Sequence, residues 1–383
     1  MARALYIHWP FCVSKCPYCD FNSHVREQVD HTVWRDALLA DMRHEAALAG
    51  GEKLRSIFFG GGTPSLMPPA LVDALLSEAE KLWGYEDDIE ITLEANPSSV
   101  EAANFADIAA AGVNRVSLGV QSLRDESLQF LGRMHSAEEG LEALQTAQKA
   151  FDRVSFDLIY ALPGHNHHTW NYELCKALDL GTGHLSVYQL TIEPNTRFAT
   201  MVRRGEFTPL DDDEAADLFI LTGEVLSDAG LPAYEISNHA RPGEESQHNL
   251  TYWRYQDYVG IGPGAHGRRG GFATTRHRKP ENFLSAISRN ASGLQEERAL
   301  GVREQASEAL LMGLRLAEGV DLSELSARFG LSVDALVNQD EIAKYQKLEY
   351  LKRDGERIRV TMDGMIVLDA LLARIVADDL VAA

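Results

Sequence analysis

Cys12-Val13-Ser14-Lys15-Cys16-Pro17-Tyr18-Cys19 holds three of the four cysteines of the chain within eight residues. It follows a short apolar run, Ala4-Leu5-Tyr6-Ile7, that reads as a strand running into a loop. Three thiolates on one tight loop suit three corners of a four-iron, four-sulfur cluster, with the fourth iron left free for another ligand. A structural zinc site normally uses two short-spaced ligand pairs separated by a longer gap, and no second pair exists here. His8 or His24 completing a Cys3His zinc site is the open alternative.

Working outward, the first half alternates β-rich and helical patterns. Strands are expected at 5–8, 55–59, 89–95, 115–120, 154–160 and 185–190. Between them lie helical patterns at 30–48 (Val33, Ala37, Leu38, Met42, Ala46), 69–83, 98–111 closed by Gly112, 126–131, 137–150 and 168–180. Six such alternations predict an α/β fold, a parallel sheet with right-handed crossovers curled into a partial (β/α)6 TIM-like barrel. In a barrel, working residues sit at the C-terminal strand ends. The chain fits: strand one runs into the cysteine loop, and strand two into Gly60-Gly61-Gly62-Thr63-Pro64. Glu94, Gln121 and Asp157 then lie at or in strands three, four and five.

After about residue 195 the alternation stops. Asp211-Asp212-Asp213-Glu214 opens an amphipathic run, as acids favour a helix N-terminus. A polar loop is expected at 267–280, with Arg268, Arg269, Arg276, Arg278 and Lys279 read as solvated. Helices at 303–316, 322–329 and 343–352 precede a hairpin turning at Asp363-Gly364 and a closing helix at 370–377, a winged-helix-like α+β pattern. The expected units are a core barrel at 1–235, a connecting segment at 236–300 and a C-terminal domain at 301–383.

The composition sets limits. With 36 Lys and Arg against 57 Asp and Glu, the net charge of −21 opposes broad nucleic-acid binding. Few, clustered cysteines point to a reducing, cytoplasmic setting rather than a disulfide framework. Cys175, in a helical pattern, reads as a small core residue. No stretch approaches the length of a membrane span, and Trp9-Pro10 breaks the only apolar start, so no signal peptide is expected. The glycines of 260–265 resemble a phosphate loop only superficially, because Pro263 lacks an amide donor and no Lys-Ser/Thr follows.

Cys-x3-Cys-x2-Cys with Tyr18 before the third cysteine resembles the signature of the radical S-adenosylmethionine (SAM) family. The flanks 6–11 and 20–23 resemble its coproporphyrinogen-dehydrogenase-like branch. That resemblance implies a [4Fe-4S] cluster on Cys12, Cys16 and Cys19, whose open iron SAM chelates. It implies SAM contacts from Gly61, Gly62, Thr63, Glu94, Gln121, Arg133 and Asp157, with Tyr6 and Tyr18 flanking the cofactor. Gln247-His248-Asn249-Leu250-Thr251-Tyr252-Trp253 is ambiguous on its residues alone, since Tyr252, Trp253, Tyr255 and Tyr258 also read as core aromatics. By resemblance it is the His-Asn-x-x-Tyr-Trp motif of a haem-chaperone branch, which implies haem binding at His248; pairing of tetrapyrrole propionates by Arg268, Arg269, Arg276, Arg278 and Lys279 is then the alternative to a solvated loop. True dehydrogenases carry another cysteine two residues after the third, and here that position is Phe21. The resemblance therefore implies a haem chaperone rather than a catalyst, passing haem to acceptor proteins, membrane respiratory proteins among the candidates. A coproporphyrinogen III dehydrogenase is the alternative, and a homodimer is left open. His165, His167 and His168 depart from the family pattern and read as a polar loop entering a helix.

Overall fold

In the computed structural model, residues 3–49, 51–377 and 380 are described. The remaining positions, which the expected units at 1–235 and 301–383 include, lie outside the described residues. Eleven strands form one sheet. In chain order they are β1 (Ala4–Trp9), β2 (Leu54–Gly61), β3 (Tyr85–Ala95), β4 (Arg115–Gln121), β5 (Arg153–Tyr160), β6 (His184–Gln189), β7 (Asn238–Ala240), β8 (Tyr258–Ile261), β9 (His266–Arg269), β10 (Phe272–Arg276) and β11 (Leu294–Ala299). Their spatial order is β11-β10-β9-β8-β1-β2-β3-β4-β5-β6-β7. Strands β1 to β6 pair with one another in parallel, as the six alternations require. β8 joins β1 in parallel, whereas β7, β9, β10 and β11 pair antiparallel. The segment 236–300 thus supplies strands to the main sheet, and Ile7 lies opposite both Phe59 and Ile261.

Helix α1 (His31–Ala49) packs on the β8 side and buries Trp34, Ala37, Leu38 and Met42. Val33, expected on the core face, is exposed, and the acids Asp41 and Glu45 are buried in its place. Their partners come from the basic segment read as a solvated loop. Arg276, fully buried, pairs with Asp41 at 3.3 Å and Glu45 at 2.5 Å. Arg269 reaches Glu45 at 2.6 Å and also pairs with Glu297. That segment is therefore largely the β9–β10 hairpin, and buried charges of this kind persist because each has an opposite partner.

Three further expectations are corrected. Cys175 is exposed on α2 (His167–Asp179), because the buried face runs through Trp170, Leu174 and Ala177, one position out of phase. The helix expected at 98–111 is two short pieces, Ser99–Ala102 and Phe105–Ala110. The hairpin turns at Gly355, φ +59°, between Leu351–Asp354 and Arg357–Val360. Asp363 and Gly364 lie instead in a helix capped by Thr361, whose Oγ1 accepts from Gly364 N at 3.1 Å.

The C-terminal region has its own core around Leu310, Leu322, Leu336, Ile358 and Leu372. With its three-stranded sheet and helices it matches the winged α+β expectation. Among the described residues, no helix is long and apolar enough to cross a membrane.

Candidate functional site: a cysteine loop at the mouth of the barrel

The cysteine loop is held at both ends. Phe11–Cys12 pairs with His24–Val25, and His24 N donates to Pro10 O at 2.7 Å. Trp9 and Phe11 pack edge to face at 5.1 Å, and Phe11 does the same on Trp34, which anchors the entry to the loop in the core. Between these ends Cys12, Cys16 and Cys19 are free thiols, all partly exposed.

The glycines after β2 lie directly beneath the loop. Gly62 N donates to Trp9 O at 2.7 Å and Thr63 N to Phe11 O at 2.8 Å. A Cβ on Gly62 would stand 2.6 Å from Phe11 O, and Gly61 has φ +111° with the His8 ring 2.6 Å from any Cβ. Only glycine allows this approach. Thr63 Oγ1 then donates to Cys12 Sγ at 3.5 Å.

Arg133 secures the other side. Its guanidinium donates to Asn96 Oδ1 and Gly119 O, both at 2.7 Å, and to Cys16 Sγ at 3.5 Å. Asn96 also donates to Thr63 Oγ1 at 3.2 Å, so one amide links the two residues that touch the sulfurs. Among the described residues, Arg133 Nε is buried with no hydrogen-bond partner. Gln121 ends β4 in the left-handed region, φ +72°, a strained conformation found more often at functional sites than elsewhere.

Two carboxyls face the same space. Glu94 accepts from Gly61 N at 3.2 Å, and Asp157 accepts from Ser117 Oγ at 3.2 Å. Among the described residues neither forms an ion pair. Burial, with Asp157 nearby, pushes Glu94 up to about 8. Burial likewise raises Asp157 to about 6, against the lowering effect of Ser186 and Ser117. Burial also raises the Cys12 and Cys19 thiols, so a cationic group is needed to hold them as thiolates.

These residues line one cavity of about 460 Å³: Cys12, Cys16, Tyr18, Cys19, Gly61, Gly62, Thr63, Glu94, Gln121, Arg133 and Asp157. Eleven of the thirteen residues expected from the sequence thus share a single space. Tyr6 and His248 do not. Tyr6 lines a second cavity of about 410 Å³, which adjoins the first through Phe21, Gly61 and Glu94. His248 is only 1% exposed. Its ring stacks on Phe58 at 4.9 Å, with Nδ1 3.0 Å from Ser56 Oγ and Nε2 2.9 Å from Tyr252 Oη. Asn96 and Ser117 were not singled out from the sequence. The Asn96-Pro97 pair directly after β3 is the signal that marks Asn96.

The donor set fits the groups the sequence implies. Three thiols on one loop offer soft ligands to iron. Among the described residues, no three His, Cys, Asp or Glu side chains are already drawn together around a single point. One unsatisfied guanidinium nitrogen and two carboxyls without cationic partners suit a ligand carrying both charges, as SAM does.

Comparison with known proteins agrees with this geometry. The Radical SAM superfamily profile matches residues 6–172, and that of the HemN C-terminal domain matches residues 301–367. The Escherichia coli protein named heme chaperone HemW is 39% identical over 382 residues, covering 98% of each chain. A mouse protein, radical S-adenosyl methionine domain-containing protein 1, mitochondrial, is 39% identical over 381 residues, covering 96% of this chain and 86% of its own. Among solved structures, Escherichia coli coproporphyrinogen III oxidase (HemN), described as a radical SAM enzyme, superposes with a TM-score of 0.82. It has 22% identity and covers 97% of this chain and 89% of its own, a likeness of fold. The chain belongs to the radical SAM superfamily and, within it, to the HemW family.

Proposed function

We propose that the protein is a haem chaperone that carries a [4Fe-4S] cluster on Cys12, Cys16 and Cys19 and binds SAM beside it. The observation that carries the reading is the pair of adjoining cavities. One is lined by the cysteines and by acidic and basic groups, and the other by aromatic rings. Held there, such a cluster would supply single-electron chemistry to a bound sulfonium. The chain's own residues do the holding. Bare backbone at Gly61 and Gly62 lets a ligand ammonium approach peptide carbonyls, and Glu94 and Asp157 attract its positive charge. Arg133 donates to Cys16 Sγ and stabilises negative charge there, its guanidinium would attract a ligand carboxylate, and Tyr18 packs toward Phe198 and closes one wall.

Phe21 separates this reading from a coproporphyrinogen dehydrogenase. It stands, 62% exposed, where such enzymes have a further cysteine, and it offers an apolar face between the two cavities. Haem is passed to acceptor haemoproteins in a reducing compartment. To test this, cluster-reconstituted protein is incubated with haem, SAM and coproporphyrinogen. The expected result is stable haem binding, loss of haem to an apo-acceptor, and no vinyl product. Efficient turnover to protoporphyrinogen would assign the chain to the dehydrogenases.

A further inference from the structure

The second cavity contains what a tetrapyrrole needs, and the histidine named by the sequence motif is not in it. Both His248 nitrogens are engaged, and the ring is buried behind Phe58 and Tyr252. His8 does line the cavity, but it too is fully used. The Asn22 carbonyl can only accept, so His8 Nε2 donates to it at 2.9 Å, and Nδ1 accepts from Tyr6 Oη at 3.0 Å. His266 differs. It opens β9 at the rim of the cavity, is exposed, and has no hydrogen-bond partner on its ring among the described residues. Partial burial, then Arg268 and Arg278, lower its pKa from the ordinary imidazole value.

The basic residues sort in the same way. Arg268 is spent on Glu308, Arg269 on Glu45 and Glu297, and Arg276 on Asp41 and Glu45. Arg278 lines the cavity, is exposed, and forms no ion pair among the described residues. Aromatic rings supply part of the lining: Phe21, which also borders the cysteine cavity, and the Tyr252–Tyr258 pair, 4.3 Å apart and edge to face. A volume of about 410 Å³ lies in the range of cofactor sites. Phe21, His266 and Arg278 are all exposed, so a bound ligand would keep an open edge, as release to an acceptor requires.

We infer that haem sits in this second cavity, with His266 as its iron ligand and Arg278 pairing a propionate, while His248 only orients Tyr252. The inference rests on the haem-chaperone reading and is separable from it. The test is titration of the full-length, cluster-reconstituted protein with ferric haem, read by the Soret band and by electron paramagnetic resonance. His266→Ala is expected to lose the imidazole-ligated signature and at least about tenfold in affinity. In His266→Gly, added imidazole is expected to restore the signature. Arg278→Gln is expected to weaken haem while leaving haem dimethyl ester, which lacks the propionate charges, unchanged. His248→Gln is expected to keep the parent signature. A parent that binds haem, with His266→Ala retaining its spectrum and affinity, overturns the site but not the chaperone reading. A parent that takes no haem overturns both. Unaltered cluster absorbance in each variant shows that the barrel is intact.

Discussion

At the scale of single residues, the site depends on atoms that are missing. Gly62 lies so close to the strand that enters the cysteine loop that a methyl group would meet Phe11 O at 2.6 Å. The same carbonyl accepts from Thr63 N, and Thr63 touches Cys12. Gly62→Ala is therefore expected to push the loop outward, costing about 1–3 kcal/mol, and to lower the iron bound per chain after reconstitution. Gly301→Ala, where a Cβ meets nothing within 4 Å, is expected to bind iron as the parent does. Equal iron content in the two variants would show that the glycines do not set the position of the loop. These glycines were legible because three fall in a row after an apolar run. Arg133 was not legible from its own surroundings, since nothing local distinguishes it from a surface arginine. Its partners, Asn96, Gly119 and Cys16, come from three other parts of the chain. His248 illustrates the limit of motif reading. The spacing of four between His248 and Tyr252 puts both on one helix face, but which of the two meets the cavity depends on the strand beneath, where Ser56 and Phe58 claim the histidine.

At the scale of elements, periodicity located most helices but could not say what their polar positions do. On α1 the core face carries Trp34, Leu38 and Met42 and also Asp41 and Glu45. The acids are explained only by Arg269 and Arg276, more than 200 residues later on the β9–β10 hairpin. Likewise Asp354-Gly355 and Asp363-Gly364 carry the same turn signal, and the Thr361 cap decides between them. The buried charge cluster clamps the hairpin bearing His266 to α1. Arg276→Met would leave Asp41 and Glu45 buried and short of a partner. It is expected to cost about 3–5 kcal/mol in urea denaturation. Arg298→Met, which breaks only the exposed pair with Glu304, is expected to cost less than about 1 kcal/mol. Similar losses in both variants would mean that the clamp contributes no more than a surface pair.

At the scale of the whole molecule, the barrel encloses more titratable groups than it neutralises with charge, and this gives stability a dependence on pH with two limbs. His8, His135, His165, His184, His239 and His248 are all buried. Burial, first among the causes, lowers each: to about 4 for His8, His135, His165 and His239, to about 3 for His248, and well below the usual value for His184. The unfolded chain takes up these protons near pH 6.5, whereas the fold resists them to about pH 4. Between those values the unfolded state holds more protons, so stability falls on acidification by about 1.4 kcal/mol per pH unit for each excess proton. Above pH 6.5 this contribution is fully present. Glu94 and Asp157 act in the opposite sense. Their folded values of about 8 and about 6 exceed the unfolded ones, so the fold holds the extra protons and loses stability as pH rises. Six imidazoles outweigh these two carboxyls on the acid side, and Glu94, at about 8, reaches furthest into the range between about 6.5 and 8. Ligand-free protein is therefore expected to melt highest near pH 6.5, to fall steeply toward pH 4.5 and to decline gently toward pH 8. In Glu94→Gln the alkaline decline should become shallower while the acid limb stays. Melting temperatures recorded across this range check both limbs, and a curve that rises on acidification would contradict the neutral state assigned to the buried histidines.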